Sequence, residues 1–326
     1  MGKSLNEWGV LVKEEGSYGG GGSPSASTDG VLVNERPDVD MGYLHDGARR
    51  GETGPMSQGL QGVKKSGRQG TVSLIHEAAG GGAAYSASVK PSVHTLLSLA
   101  GFDATLDASA GTEKYTYTPG DGASGVAELY TREQMVTLTG MLADLTVGAD
   151  GPEVPVWEFA VSALAALPVE DTVPAITYPS IMPPKAESMV LTMGDFASAV
   201  VRRHSLTLGR VLQQRADQNS GGHAGFKAGA IVPVLEVDIE AEDFVADPYH
   251  AAGGINPYQL AELATALDLS WQYGSEQYNR FKFTAPAAQL EPIGEGEDGP
   301  AGLWTLRFML MPTTPGAKDG LEIVAD

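Results

Sequence analysis

A short pattern occurs twice in this chain, about half its length apart, and a duplicated unit restricts the fold more than any other feature. Pro91 opens the apolar segment Ser92-Val93-His94-Thr95-Leu96-Leu97-Ser98-Leu99, and Pro257 opens Tyr258-Gln259-Leu260-Ala261-Glu262-Leu263-Ala264-Thr265-Ala266-Leu267. An aromatic alternation follows each: Lys114-Tyr115-Thr116-Tyr117-Thr118 and Arg280-Phe281-Lys282-Phe283-Thr284. Pro91 and Pro257 stand 166 positions apart, as do Tyr115 and Phe281. Gly151-Pro152 ahead of Trp157 is matched by Gly299-Pro300 ahead of Trp304 at an offset of about 147, so the second copy is shorter there. Self-similarity at a fixed spacing marks a repeated structural unit.

The length, 326 residues, suits two domains, each able to bury its own core. The repeat places them at 1–168 and 186–326, joined by a proline-rich linker at 169–185 that contains Pro174, Pro179, Pro183 and Pro184. With 42 Gly, 20 Pro and few aromatics, short strands and turns are expected rather than long helices. Thr71–His76, Lys114–Thr118, Val126–Tyr130, Met135–Val147, Val154–Leu164, Met189–Met193, Arg202–Leu208, Ala230–Glu240, Phe281–Thr284 and Leu303–Met311 read as strands. Val31–Val33 reads as a further short strand. One short helix per unit begins near Pro91, with Gly101 to stop it, and near Pro257, with Asn256 as its N-cap. Residues 34–70 and 211–229 read as long polar loops, and Glu291–Gly299 as an acidic turn. The fold class is therefore mostly β with one short helix per unit, an α+β arrangement.

Net charge is −20, shared by both halves: residues 1–166 carry 11 basic and 20 acidic side chains, residues 167–326 carry 10 and 21. Such a surface repels phosphates and lacks the basic footprint of a nucleic-acid binder. It also serves solubility in a saline host. No apolar run approaches the ~20 residues that cross a bilayer, and Met1–Glu7 is no secretory signal. Manufacture in a cytoplasm is expected.

Residue patterns for chemistry are missing. There is no Cys, and the six His (His45, His76, His94, His204, His223, His250) have no metal-site spacing. Neither a nucleophile elbow nor a phosphate loop is present. No catalytic residue, metal or cofactor is expected, and the chain reads as a non-enzyme.

Two groups of residues remain as candidates. Glu236, Asp238, Glu240 and Glu242 recur at period two and share one strand face. That stripe fits the solvated outer face of an edge strand or a hard-cation site. Arg36, Asp38, Asp40, Arg49, Arg50, Lys64, Lys65 and Arg68 populate the loop at 34–70, which reads either as a contact between assembled copies or as an ordinary surface loop.

The order of several phrases resembles the major tail tube proteins of long-tailed, siphovirus-type bacteriophages. They are Asp29-Gly30-Val31-Leu32-Val33, Gly70-Thr71-Val72-Ser73-Leu74, Tyr115-Thr116-Tyr117-Thr118-Pro119, Leu138–Leu145 and Pro155-Val156-Trp157-Glu158-Phe159. The likeness spans 8–165 well and 186–312 more loosely. It implies tandem tail-tube β-sandwich domains, three chains closing into a pseudo-sixfold ring, and rings stacking into a hollow tube in the virion tail. Double-stranded DNA would pass through during genome ejection without specific binding. Tape-measure, tail-terminator and baseplate proteins would be the other partners. On this reading the stripe at 236–242 lines the lumen and the loop at 34–70 joins stacked rings. A β-rich carbohydrate-binding module of a virion or cell surface is the alternative, and a hydrolase with a carboxylate pair a remote third.

Overall fold

The computed structural model describes residues 7–46, 50–51, 60–61, 65–118, 120, 122–131, 133–194, 196, 199–217, 224–241, 256–263, 266–298 and 301–326. The first half holds β1 (Trp8–Glu14), β2 (Asp40–Asp46), β3 (Arg50–Gly51), β4 (Leu60–Gln61), β5 (Lys65–His76) and helix α1 (His94–Leu99). It continues with β6 (Phe102–Asp107), β7 (Thr112–Tyr117), β8 (Gly125–Thr131), β9 (Gln134–Asp150), β10 (Val156–Ala165) and β11 (Val169–Glu170). The second half holds a 3-10 turn (Ala186–Ser188), β12 (Thr192–Met193), β13 (Val201–Thr207), β14 (Leu212–Gln214), β15 (Phe226–Ala228) and β16 (Val234–Glu240). Helix α2 (Pro257–Leu263), β17 (Leu267–Tyr273), β18 (Phe281–Leu290), β19 (Gly294–Asp298), β20 (Ala301–Met311) and β21 (Glu322–Ala325) complete it. The protein is thus mostly β, with two short helices among the described residues.

Antiparallel pairing runs without a break through β2–β5–β10–β9–β13–β16–β20–β19. Successive side chains of a strand point to opposite faces. Hence Val72 and Leu74, Trp157 and Phe159, Leu145 and Val147, Leu206, Leu235 and Val237, and Leu306 and Phe308 are buried on one face. Residues between them face outward.

A second layer covers the apolar face in the order β6–β7–β21–β18–β17–β12. The C-terminal strand β21 lies between the two aromatic strands, β7 on one side and β18 on the other. Phe281 and Phe283 point inward, and Trp157 of the first layer meets them at ring-centroid distances of 5.4 and 5.6 Å. Trp271 stacks on Phe283 at 4.9 Å. Aromatic pairs of this kind contribute about 0.5–1.5 kcal/mol beyond their buried area. Residues from both halves therefore share one core.

Helix α1 starts at His94, three residues later than the proline pattern implies, and buries Leu96, Leu97 and Leu99. Gly101 ends it at φ +92°, where a Cβ would crowd the Tyr117 ring. Asn256 caps α2 as expected, its Oδ1 accepting the Gln259 N–H at 3.1 Å.

Several expectations need correction. The segment at 34–70 is not a featureless loop: β2 pairs with β5, and β3 with β4. Likewise β14 and β15 form a hairpin within 211–229. Glycine and alternating charge leave no apolar period in these segments for a sequence pattern to mark. The acidic turn at 291–299 contains strand β19. Val31–Val33 makes no strand; only Gly30 bridges to Leu11. Met189–Met193 yields strand only at Thr192–Met193.

The proline-rich stretch lies against the first half. Thr177 N–H donates to the Ala26 carbonyl at 2.9 Å. Ile176 fills the space above Gly9 and Gly30, where added Cβ atoms would come within 2.5 and 2.4 Å of its side chain.

Arg210 fixes the second half to the first. It is buried, and its guanidinium donates to the carbonyls of Leu99 at 2.6 Å, Ala143 at 3.1 Å and Gly120 at 3.2 Å. The Leu99 carbonyl is among the orphan acceptors at the end of α1, where a cation also suits the helix dipole. Arg210→Met should remove these bonds and strand buried carbonyls, costing about 3 kcal/mol. A urea titration would measure it; an unchanged midpoint would contradict the assignment.

Candidate functional site

The outward face of the first layer has the most distinctive chemistry in the molecule. Its side chains are mixed: polar and charged residues stand beside small ones and beside Val156, which is 38 % exposed. Thr71 and Ser73 of β5, Glu158 and Ala160 of β10, Asp150 of β9, Arg203 of β13, Glu236 of β16 and Arg307 of β20 are exposed. Six carboxylates (Asp144, Asp150, Glu158, Glu236, Asp238, Glu240) stand against three guanidiniums (Arg202, Arg203, Arg307). Asp40, opposite Thr71, and Glu291, paired with Arg307, add further carboxylates, so acidic groups outnumber basic ones among the described residues of this face.

The predicted stripe lies here. Glu236, Asp238 and Glu240 share the outward face of β16, and Glu242 lies outside the described residues. β16 is no edge strand, since β13 and β20 flank it. The three carboxylates differ in environment. Glu236 is exposed, while Asp238 is only 5 % exposed. Asp238 accepts from Arg203 Nε at 2.5 Å and Thr305 Oγ1 at 2.7 Å. Glu240 pairs with Arg202. Among the described residues no cluster of three His, Asp or Glu could hold a metal ion.

The second predicted group is divided. Arg36, Asp38 and Asp40 are exposed along the outer edge of the same layer, where Asp40 pairs with Thr71. Arg68 is half-buried on β5, opposite Tyr43 of β2. Arg50 and Lys65 fall in β3 and β5, whereas Arg49 and Lys64 lie outside the described residues.

Between the halves, β9 and β13 form a seam with Thr146 opposite Thr207, Gly148 opposite Ser205 and Asp150 opposite Arg203. Gly148 permits close approach: a Cβ there would lie 2.9 Å from the His204 carbonyl oxygen. A groove of about 390 Å³ follows the outward side of the seam, lined by Asp150, Glu153, Arg203, Ser205 and Glu236 among others, with no Trp, Tyr or Phe. The sheet divides at β9, whose Gly140 adopts φ +60°. There the Glu15 carboxylate accepts the N–H groups of Gly140, Gly19 and Gly21, holding the glycine-rich loop in place. Tyr18 on that loop accepts the Phe226 N–H at 2.6 Å, tying the β14–β15 arm across the seam.

Behind the seam, His204 Nε2 lies 2.5 Å from the Tyr273 hydroxyl. Trp271 Nε1 can only donate, and it donates to the same hydroxyl. The His204–Tyr273 contact is a second hydrogen bond of that hydroxyl, its direction set by the imidazole tautomer. Burial lowers the His204 pKa from 6.5 to about 4. Asp144, beside the seam, is shifted upward: burial outweighs the N–H bonds it accepts from Arg210 and Leu145.

One titratable cluster escaped the sequence reading. Fully buried Glu113 pairs with Lys90 and accepts from Tyr115 Oη at 2.9 Å, while His94 Nδ1 lies 2.9 Å from the same hydroxyl. Its signal was present: Glu113 shares strand parity with inward Tyr115 and Tyr117. These groups satisfy one another between α1 and β7.

No family model matches the sequence, and no curated protein matches it.

The buried imidazole makes the seam acid-sensitive. Below the unfolded pKa of 6.5, the unfolded chain takes up a proton that the fold refuses until about 4. Stability is full above 6.5 and is lost as pH falls, by about 2 kcal/mol between pH 7 and pH 5. His76 and His94, also lowered mainly by burial, act with the same sign. Urea midpoints at the two pH values measure the loss, and His204→Gln should shrink it. An equal pH dependence in that variant would contradict the role of His204.

Proposed function

We propose that this chain is the major tail tube protein of a long-tailed bacteriophage, a structural protein and not an enzyme. Three copies close into a ring, rings stack, and the genome leaves through the lumen. The observation that supports this reading is the eight-strand layer, with one face packed as core and the other, among the described residues, largely polar and rich in carboxylates.

The layer divides into two runs of four strands. In the first, β2–β5–β10–β9, the Trp157 strand is third and its hairpin partner fourth. In the second, β13–β16–β20–β19, the Trp304 strand is third and its hairpin partner fourth. Each aromatic strand, β7 and β18, borders β21. We take the two runs as tandem tube domains, the second lacking a counterpart of β8. Three copies supply about 24 strands, which at ~4.8 Å spacing and ~40° tilt close a backbone circle ~48 Å across. Side chains cannot fill so wide a barrel, and a duplex fits inside. A carboxylate-rich lining holds no phosphates, whereas basic residues would retain DNA through counterion release.

Glu158, Glu236 and the Asp238–Arg203 pair face the lumen on this reading. Arg36, Asp38 and Asp40 belong to the lateral edge of the unit. Tape-measure, terminator and baseplate proteins remain the expected partners at the tube's interior and ends, in the virion. The seam groove offers no large aromatic surface for a sugar ring, which disfavours the carbohydrate-binding alternative.

Negative-stain microscopy of the purified protein tests the proposal. Rings or tubes of uniform diameter are expected; dispersed particles that bind glycans would contradict it. A double Glu158→Lys, Glu236→Lys variant should still assemble but retain duplex DNA, with affinity falling steeply as salt rises. Indifference of that variant to DNA would remove these residues from the lumen.

A further inference from the structure

The chain contains one junction between its two four-strand runs, and the two ends of the layer have the parts to make it again. We infer that rings close by antiparallel pairing of β19 in one copy with β2 in the next, with Gly294 opposite Asp40. This rests on the tandem-domain reading above.

The register follows from observed pairs. Across the seam, Thr146 of β9 faces Thr207 of β13. Thr146 lies beside Glu158 of the Trp157 strand, and Gly294 beside Thr305 of the Trp304 strand, each one residue past its tryptophan. Gly294 therefore occupies the place of Thr146. On the other side, Thr207 pairs with Val234 and Val234 with Met309, five residues past Trp304. Asp40 pairs with Thr71 and Thr71 with Ser162, five residues past Trp157. Asp40 therefore occupies the place of Thr207. Strand directions alternate along all eight strands, so β19 against β2 of another copy continues the antiparallel order.

Three further observations agree. β2 pairs only with β5 and β19 only with β20 among the described residues, leaving a row of backbone donors and acceptors at each end. Gly148, crowded by β13 at the seam, corresponds to Gly296, where a Cβ would meet nothing within 4 Å. The space that β13 fills beside Gly148 is open beside Gly296. Leu208, directly after Thr207, is 0 % exposed and donates its N–H to the Leu145 carbonyl of β9. Its counterpart Met41 is 38 % exposed. A second copy seated on this edge would bury Met41 as β9 buries Leu208. The occupant is another copy of this chain, because the seam itself shows which strand fits that edge.

The chain has no cysteine, so a pairing test has no background. The Leu208-to-Leu145 bond makes Thr207 and Thr146 a non-hydrogen-bonded pair, in which Cα atoms stand ~4.5 Å apart, within disulfide range. An Asp40→Cys, Gly294→Cys double variant, assembled and oxidised, should run as covalent dimers and trimers on a non-reducing gel, while each single variant stays monomeric. Rings seen by microscopy without these bands would overturn the junction and leave the tube reading standing. Failure of the unmodified protein to form rings would overturn both. Met41→Lys supplies an arm independent of the cysteines: it should melt like the unmodified chain but form no rings. Wild-type assembly by Met41→Lys would contradict the inference.

Discussion

The architecture depends on backbone pairing between β9 and β13. A strand edge carries unpaired N–H and C=O groups, and burying each without a partner costs about what a lost hydrogen bond is worth. Here the C-terminal end of β9 spends its edge on β13, and two four-strand runs become one wall. Gly140 allows the division of β9, because its left-handed backbone lets the N-terminal end turn toward β8 while the remainder continues to the seam. Glu15, Tyr18 and Arg210 then hold the surrounding segments at that point, each bonding across a boundary the backbone alone would leave loose.

A consequence is the difference between the two faces of the wall. Inward residues meet the second layer and pack as a dry aromatic core around Trp157, Trp271, Phe281 and Phe283. Outward residues differ: Glu158 and Glu236 are exposed, whereas Leu142 of β9 is buried. Their carboxylates are either solvated, as at Glu236, or neutralised within the sheet, as at Asp238 between Arg203 and Thr305. What remains is acidic without being a binding cluster, which is the property a polyanion conduit requires.

The sequence displayed both helices and the strong strands, because Tyr115–Tyr117, Phe281–Phe283 and Trp157–Phe159 alternate against a core. It concealed β2 and β19, whose Gly, Asp and Glu residues carry no apolar period, and the short β14 and β15 strands, three residues each. Asp238 showed its face but not its environment, since burial by Arg203 and Thr305 comes from neighbouring strands. Edge strands are the elements whose composition is set by what they avoid or await, so local patterning describes them least. The Glu113 cluster shows the opposite case: parity alone marked that carboxylate as inward.

The central claim is that one chain supplies two successive sectors of a closed wall. Native mass spectrometry of the smallest assembled ring tests it most directly. Three chains of 34.0 kDa, about 102 kDa, are expected. A six-chain ring, or a protein that stays a 34.0 kDa monomer at every concentration, would contradict it.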